Sequence, residues 1–532
     1  MNSVRGLAAH SNRRPVKPAQ GEPQPITRLA FAFALVLFVS PLAAQQNAQE
    51  PPPPQSAPTA AQQPAPQSAP PAASQPPAAE PQSPAAVQQQ PGAGTQLQTG
   101  TASGLDADTR LQNLLADHQY LRVAAQLDQL PPDQAQFYRG ILANRSNDLE
   151  QSIDLLTPLI DQVAASGNIA HEKLLREALA EDYLRLGDWA KAAQAYQTLD
   201  TRLHAKLSLD EQDEIEMPLK MLPLAKDNPP TTVEPCDPFT QQVTTDPLGL
   251  IDVPVFIDAR SRSWMLDPTA PFNLIARSTA KAAGLKVSDE TATIHTLTGR
   301  PIQVHVTVIP RFTIGGRLTL RNMTAFVYDD ADYRFPRSGY QVEGVLGYPA
   351  LAAIGSLTVT FDDTIQIRPA KQIAPTSNDD LLITGAPFFL DGDQVIVALG
   401  RAQNSTADPS ASQTASADPN DNRMFAVDAG GQQTYLTSRY FDEHAAEFNN
   451  QKMELFSFPH QQSAPQPTYI AEDVPLAVGN TVVDLHDIRV LTQPLGSAAL
   501  DDVYGVLGID ALDQFKSYTF DYRTMRFSIS PE

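Results

Sequence analysis

The sequence predicts a multidomain fold: α-helical hairpins followed by an all-β region made of two copies of one unit. Three observations carry this expectation. Apolar residues between Leu105 and Lys226 recur at helical spacing, so that one face of each helix can be buried. From about Asp246 the pattern becomes alternating or β-branched runs broken by Gly, Pro, Asn and Asp, as strands and turns require. Within that β-rich part, short motifs recur at one fixed separation.

A chain of 532 residues is too long for one compact core and should divide into two or three domains. Its net charge of −22 disfavours nucleic acid or an anionic membrane as a partner, since both bind basic surface. The single cysteine, Cys236, allows no intrachain disulfide and has no basic neighbour or histidine to activate it.

The N-terminus has the order of an export signal. Arg13, Arg14, Lys17 and Arg28 precede an apolar run from Leu29 to Val39, and Ser40-Pro41-Leu42-Ala43-Ala44 offers a small-residue cleavage site. Residues 1–44 are therefore read as a signal peptide, with an uncleaved signal anchor as the alternative. The run is shorter than the roughly 20 residues of a membrane span. The expected mature chain is exported, periplasmic or secreted, without an integral span. Residues 45–104 are dominated by Pro, Gln, Ala and Ser. They cannot bury enough apolar surface to offset chain entropy, and a disordered linker is expected.

Residues 105–226 read as paired helices. Ala178, Leu179, Tyr183, Leu184, Trp189, Ala192, Ala193 and Tyr196 fall where two packed helices bury, and Leu186-Gly187-Asp188-Trp189 makes the break between them. An earlier segment with Tyr138, Gly140 and Ala143 turns at Asn147-Asp148-Leu149, 40 residues before (187 − 147), and a fainter unit surrounds Tyr120. With Ala180, Tyr183, Gly187, Ala192 and Tyr196 at its small and aromatic positions, the region resembles tetratricopeptide-like repeats. The resemblance implies a protein-interaction surface. A helical spacer packed on the next domain is the alternative.

The duplication is read from the β-rich part. Trp264-Met265-Leu266-Asp267 leads into Pro268-Thr269-Ala270, and Phe425-Ala426-Val427-Asp428 leads into Ala429-Gly430-Gly431. Gly344-Val345-Leu346-Gly347 recurs as Gly505-Val506-Leu507-Gly508, and Phe361-Asp362 recurs as Phe520-Asp521 near the end of each closing strand. The aspartates and the Gly-Val-Leu-Gly turns share one separation of 161 residues (428 − 267 and 505 − 344). The two units are placed at 245–370 and 380–532, the second carrying a Ser/Ala/Asp/Asn-rich stretch, 401–423, expected to be a disordered loop.

The order within each unit is an apolar strand, an Asp turn, a short helix, a hairpin, a hydrophobic-hydrophobic-Gly turn, a helix and a strand. It resembles one lobe of a retropepsin-like aspartic protease, with Asn273-Leu274-Ile275 and Thr434-Tyr435-Leu436 where that family enters its helix. Two tandem lobes imply the all-β bilobal, pepsin-like acid protease fold. The resemblance implies Asp267 and Asp428 as the catalytic pair. Such carboxylates, held about 3 Å apart, share one proton, so that one activates water while the other protonates the substrate.

The loops depart from the family's Asp-Thr/Ser-Gly pattern. In the first, Pro268 has neither a hydroxyl nor a backbone N–H, and Thr269 stands where the family has glycine, followed by Ala270. In the second, Ala429 lacks the hydroxyl while Gly430 and Gly431 keep the turn. The hydroxyl-to-hydroxyl brace between loops is therefore expected to be absent. Thr296–Pro301, with Thr298-Gly299 at its tip, is the expected substrate-covering flap; its counterpart Pro459–Pro467 lacks glycine. No metal, cofactor or phosphate-binding motif is present: the sequence has no His-Glu-x-x-His and no Gly-x-Ser-x-Gly. The acidic cluster Asp329-Asp330-Asp332 lacks the spacing of a calcium loop. Two functions follow: an exported aspartic-type endopeptidase acting on peptide or protein substrates, or a catalytically inactive module of that fold that binds peptides or proteins.

Overall fold

The computed structural model describes residues 100–247, 249–268, 270–295, 301–335, 339–369, 385–392, 394–403, 414–415, 422–429, 433–456, 465–495 and 501–530. The expected signal peptide, most of the linker, Thr269, the flap tip Thr298-Gly299, Gly430, Gly431 and most of the 401–423 loop lie outside them.

The helical part comprises α1 (Gly100–Ala116), α2 (Tyr120–Ala124), α3 (Pro132–Arg145), α4 (Leu149–Leu156), α5 (Ile160–Ser166), α6 (Ile169–Arg185), α7 (Trp189–Leu203) and α8 (Leu209–Ala225). Helix α1 begins inside the segment expected to be linker, which moves that boundary to Gly100. Pro91 is the last proline before it, so every N–H the helix needs is present. The two turns are built alike. Asn147 and Gly187 take positive φ, +58° and +74°, and Asp148 and Asp188 then cap α4 and α7 through the N–H groups of Gln151 and Lys191. Ser208 and Glu211 form a capping box at α8. None of the described helices is long and apolar enough to cross a membrane.

The β part follows the same plan twice. The strands before the aspartates, Arg260–Leu266 and Arg423–Val427, pair in parallel with Gly344–Leu346 and Gly505–Leu507. These in turn pair antiparallel with Leu274–Ala276 and Tyr435–Leu436. Residues 274–275 and 435–436, expected at a helix entry, are thus strands. The helices start just after them, at Arg277 and Ser438, because these apolar residues complete the sheet around each Gly-Val-Leu segment.

The two units meet along strands Gly355–Thr360 and Ser517–Asp521. Leu357 pairs with Phe520, Thr358 with Thr519 and Val359 with Tyr518. A shift of 161 residues carries each of these pairs into another pair of the same ladder, so a pseudo-two-fold axis runs between Thr358 and Thr519. Their hydroxyl oxygens lie 2.8 Å apart across it.

Side-chain alternation sends successive residues of the pre-aspartate strands to opposite faces. Trp264, Leu266, Phe425 and Val427 enter the central β core. Met265 belongs to a cluster with Trp189 and Tyr196 of α7, and Met424 and Ala426 to one with Tyr138 and Ile141 of α3. The helices therefore pack on both units. On the first the contact is aromatic, Trp189 against Phe326 at 6.5 Å between centroids. On the second an aromatic contact, Tyr120 against Phe389 at 4.7 Å between centroids, is joined by an ionic one: Asp391 takes Arg145 at 2.7 Å, the Tyr120 hydroxyl at 2.5 Å and His118 at 3.0 Å.

Candidate functional site

Each aspartate is held by the same backbone bond. The Asp267 N–H donates to the Leu346 carbonyl at 3.1 Å, and the Asp428 N–H to the Leu507 carbonyl at 2.9 Å. The glycines of the repeated motif explain its sequence. A Cβ at Gly344 would sit 2.3 Å from the Trp264 ring, and one at Gly505 2.7 Å from Phe425. A Cβ at Gly347 would meet the Phe272 carbonyl oxygen at 2.4 Å, and one at Gly508 the Gln433 backbone at 2.7 Å. In both units the first glycine thus admits the aromatic residue of the pre-aspartate strand. The second admits the chain that returns from the aspartate loop.

Each loop also carries a brace that the sequence reading missed. Asn273 accepts the Gly347 N–H at 3.1 Å and donates to the Thr324 carbonyl at 3.2 Å. Its counterpart Thr434 accepts the Gly508 N–H at 2.9 Å and donates to Asp510 at 2.5 Å. Each loop is thus tied, further along the chain, to the Gly-Val-Leu-Gly turn of its own unit, a different attachment from the loop-to-loop hydroxyl brace. A polar residue at the same place in both units was the available signal. Burial raises the Asp510 carboxyl pKa, although the Thr434 N–H and hydroxyl oppose the shift.

The carboxylates differ. Asp267 has no exposed surface, and its Oδ1 accepts the Ala270 N–H at 3.1 Å, closing the turn. Tyr522 of the second unit reaches over the same loop, its hydroxyl 3.4 Å from the Pro268 carbonyl oxygen. Burial raises the phenol pKa of Tyr518 and of Tyr522, and the Asp267 charge adds to both shifts. Asp267 thus lies at the seam between units. Asp428 is half-buried, beside a buried Ala429. Burial and then the Asp428 charge raise Tyr435 in the same way. The ladder corrects the expected match of Phe361-Asp362 with Phe520-Asp521, which needs an offset of 159 (520 − 361): at 161 the mate of Phe520 is Val359, and that of Tyr522 is Phe361, which is 75% exposed.

The hairpin expected to carry the flap is present: Ala292–His295 pairs antiparallel with the start of Pro301–Ile314. Its counterpart, Glu454–Phe456 with Gln466–Val478, pairs likewise. Among the described residues no group of three or more His, Cys, Asp or Glu side chains is placed to hold a metal ion.

Conglutin gamma, a basic 7S globulin from lupine seeds, aligns at 10% identity over 56% of this chain and 96% of its own, with a TM-score of 0.35. Basic 7S globulin from soybean aligns at 12% identity over the same shares, with a TM-score of 0.34. A retropepsin-like aspartic protease from Rickettsia conorii aligns at 17% identity over 25% of this chain and 99% of its own, with a TM-score of 0.19. At these scores neither fold nor function passes from them to this chain. No curated protein matches the sequence. Residues 253–350, the stretch that holds Asp267, its brace Asn273 and the first Gly-Val-Leu-Gly turn, match the model of the aspartyl protease family.

Proposed function

We propose that the chain is an exported aspartic-type endopeptidase of two lobes, with Asp267 and Asp428 acting as a pair on one water. The observation that carries this reading is the equivalence of the two aspartates about the Thr358–Thr519 axis, each fixed by one N–H bond to the same motif. Two-carboxylate chemistry needs two carboxyl groups close enough to share one proton, and equivalent loops about one axis are how two copies of a unit can supply them. The ionised member takes a proton from the bridging water as it attacks the peptide carbonyl, and the protonated member donates to the developing oxyanion. The pair titrates as a unit, so neither residue is assigned as acid or base alone. The helical hairpins, tetratricopeptide-like in design, serve in this reading as a protein-binding arm.

A second reading, a peptide- or protein-binding module without catalysis, is favoured by one observation. The Asp267 carboxylate is wholly buried and already closes its own turn.

Purified full-length protein incubated with an unfolded protein between about pH 3 and 7 separates the two. Asp267→Asn and Asp428→Asn should each lower cleavage at least about a hundredfold. Cleavage that survives both substitutions, or substrate binding without cleavage, overturns the enzyme reading. Export is tested separately, by N-terminal sequencing of the extracytoplasmic protein, which should begin at Gln45.

A further inference from the structure

A cavity of about 870 Å³ lies where the helices meet both β units, lined by neither Asp267 nor Asp428. Such a volume falls within the roughly 300–1,000 Å³ of small-ligand sites. Trp189 and Tyr196 of α7 line it on one side, and Phe272, Tyr348 and Gln394 on the other. Leu186 also lines it and is 46% exposed, so the cavity reaches the surface at the α6–α7 turn.

Two of these residues carry polar groups that the protein leaves unsatisfied. The indole Nε1 of Trp189 and both amide atoms of Gln394, Oε1 and Nε2, are buried without a hydrogen-bond partner among the described residues. The two side chains are only 7% and 6% exposed. Buried polar groups are nearly always paired, and three such atoms on two residues of one cavity are groups that a bound molecule can satisfy.

The charges narrow its class. Arg145 is paired with Glu181 and Asp391, Arg185 with Glu181, and Lys173 with Glu177 and Glu211. An anionic ligand would have to break one of these pairs. A cationic ligand meets the same obstacle, since Glu177, Glu181, Glu211, Asp391 and Asp502 hold the other ends of such pairs. Among the described lining residues, the buried polar groups without a partner are one amide and one indole N–H, beside aromatic walls. A carboxamide matches the C=O and N–H of a peptide group, and the indole takes a second carbonyl.

We propose that this cavity, which neither aspartate lines, is a binding site for an extended, uncharged peptide segment with apolar side chains. Its backbone pairs with Gln394 and Trp189, and its side chains lie against Tyr196, Phe272 and Tyr348.

The test is calorimetric titration of the full-length protein with acetyl-Ser-Leu-Ala-Val-Ser-Leu-amide. Trp189→Phe, which keeps a ring and removes the N–H, and Gln394→Met, which keeps the length and removes the amide, should each weaken binding about tenfold. Hexaglutamate and maltohexaose should not compete. Circular dichroism confirms that each variant is folded, and Trp189→Phe decides alone if Gln394→Met is not. No binding at about 1 mM peptide, wild-type affinity in the folded variants, or tighter binding of maltohexaose overturns the proposal. Binding is read rather than hydrolysis, so absence of peptidase activity leaves this result standing.

Discussion

The two aspartate loops occupy equivalent places and live in different surroundings. Asp267 is sealed, its carboxylate turned back on Ala270 and its Pro268 carbonyl met by Tyr522. Asp428 is half-buried, and Phe361, the residue that symmetry would lay over it, faces solvent. Equivalent backbone with unequal burial shows that duplication preserved the loop supports while the two carboxylate environments diverged.

The sharpest way to break this comparison is to truncate the two equivalent aromatic residues. Tyr522→Ala empties a buried site that packs against Tyr348 and Phe388 and should cost about 4 kcal/mol of stability. Phe361→Ala should change it by less than about 0.5 kcal/mol. Similar shifts of the urea midpoint in the two variants would show that the asymmetry is not real in solution.

Next in size is the unequal attachment of the helices. Asp391→Ala leaves Arg145, only 7% exposed in its side chain, without its second-unit partner, and should cost about 3 kcal/mol. Burial alone would raise the Asp391 carboxyl pKa, but the Arg145 charge and the His118 and Tyr120 contacts outweigh it and hold the carboxyl well below the usual range. The folded pKa is depressed, so this stabilisation is present above the ordinary carboxylate pKa and lost as pH falls towards the folded value. Thermal melts of wild type and Asp391→Ala should converge in acid and separate near neutrality.

A smaller contrast lies in the turns. Gly347→Ala drives a Cβ to 2.4 Å from a carbonyl oxygen, and Gly508→Ala to 2.7 Å from a backbone carbon. Both should destabilise by about 2 kcal/mol, the first more than the second. Equal or absent effects in chemical unfolding would show that the loops relax freely.

The smallest effect is a pH dependence that one loop has and the other lacks. The position of Asp510 is held by Pro349 in the first unit, and only the aspartate titrates. Its folded pKa is raised, chiefly by burial. Its stabilisation is thus fully present below the unfolded pKa and lost as pH rises through the folded one. Asp510→Asn should flatten the stability profile over that acidic window. A profile that keeps its slope in the variant would remove Asp510 as the cause.

Much of the scaffold was legible in the sequence. Helical spacing located the α region, and strand alternation located the β region. The Asn147 and Gly187 turns came from residues that tolerate positive φ. The linker boundary was misjudged because helix formation at Gly100–Gly104 draws on the helix that follows, not on local composition. The short strands at 274–276 and 435–436 were hidden because three apolar residues fit a helix or a strand equally well. The braces at Asn273 and Thr434 were not legible in either loop alone because each reaches a backbone N–H 74 residues further along the chain, a contact that leaves no local pattern.

The sequence by itself determined the duplication, since an offset of 161 residues is a property of the covalent chain and survives divergence of the side chains. It also determined where glycine had to stand, because a missing Cβ is written in the residue itself. Only the tertiary structure decided how the two aspartates differ. Burial depends on what arrives from elsewhere in the chain. Tyr522 reaches Pro268 across 254 positions, while its symmetry mate Phe361 is left 75% exposed.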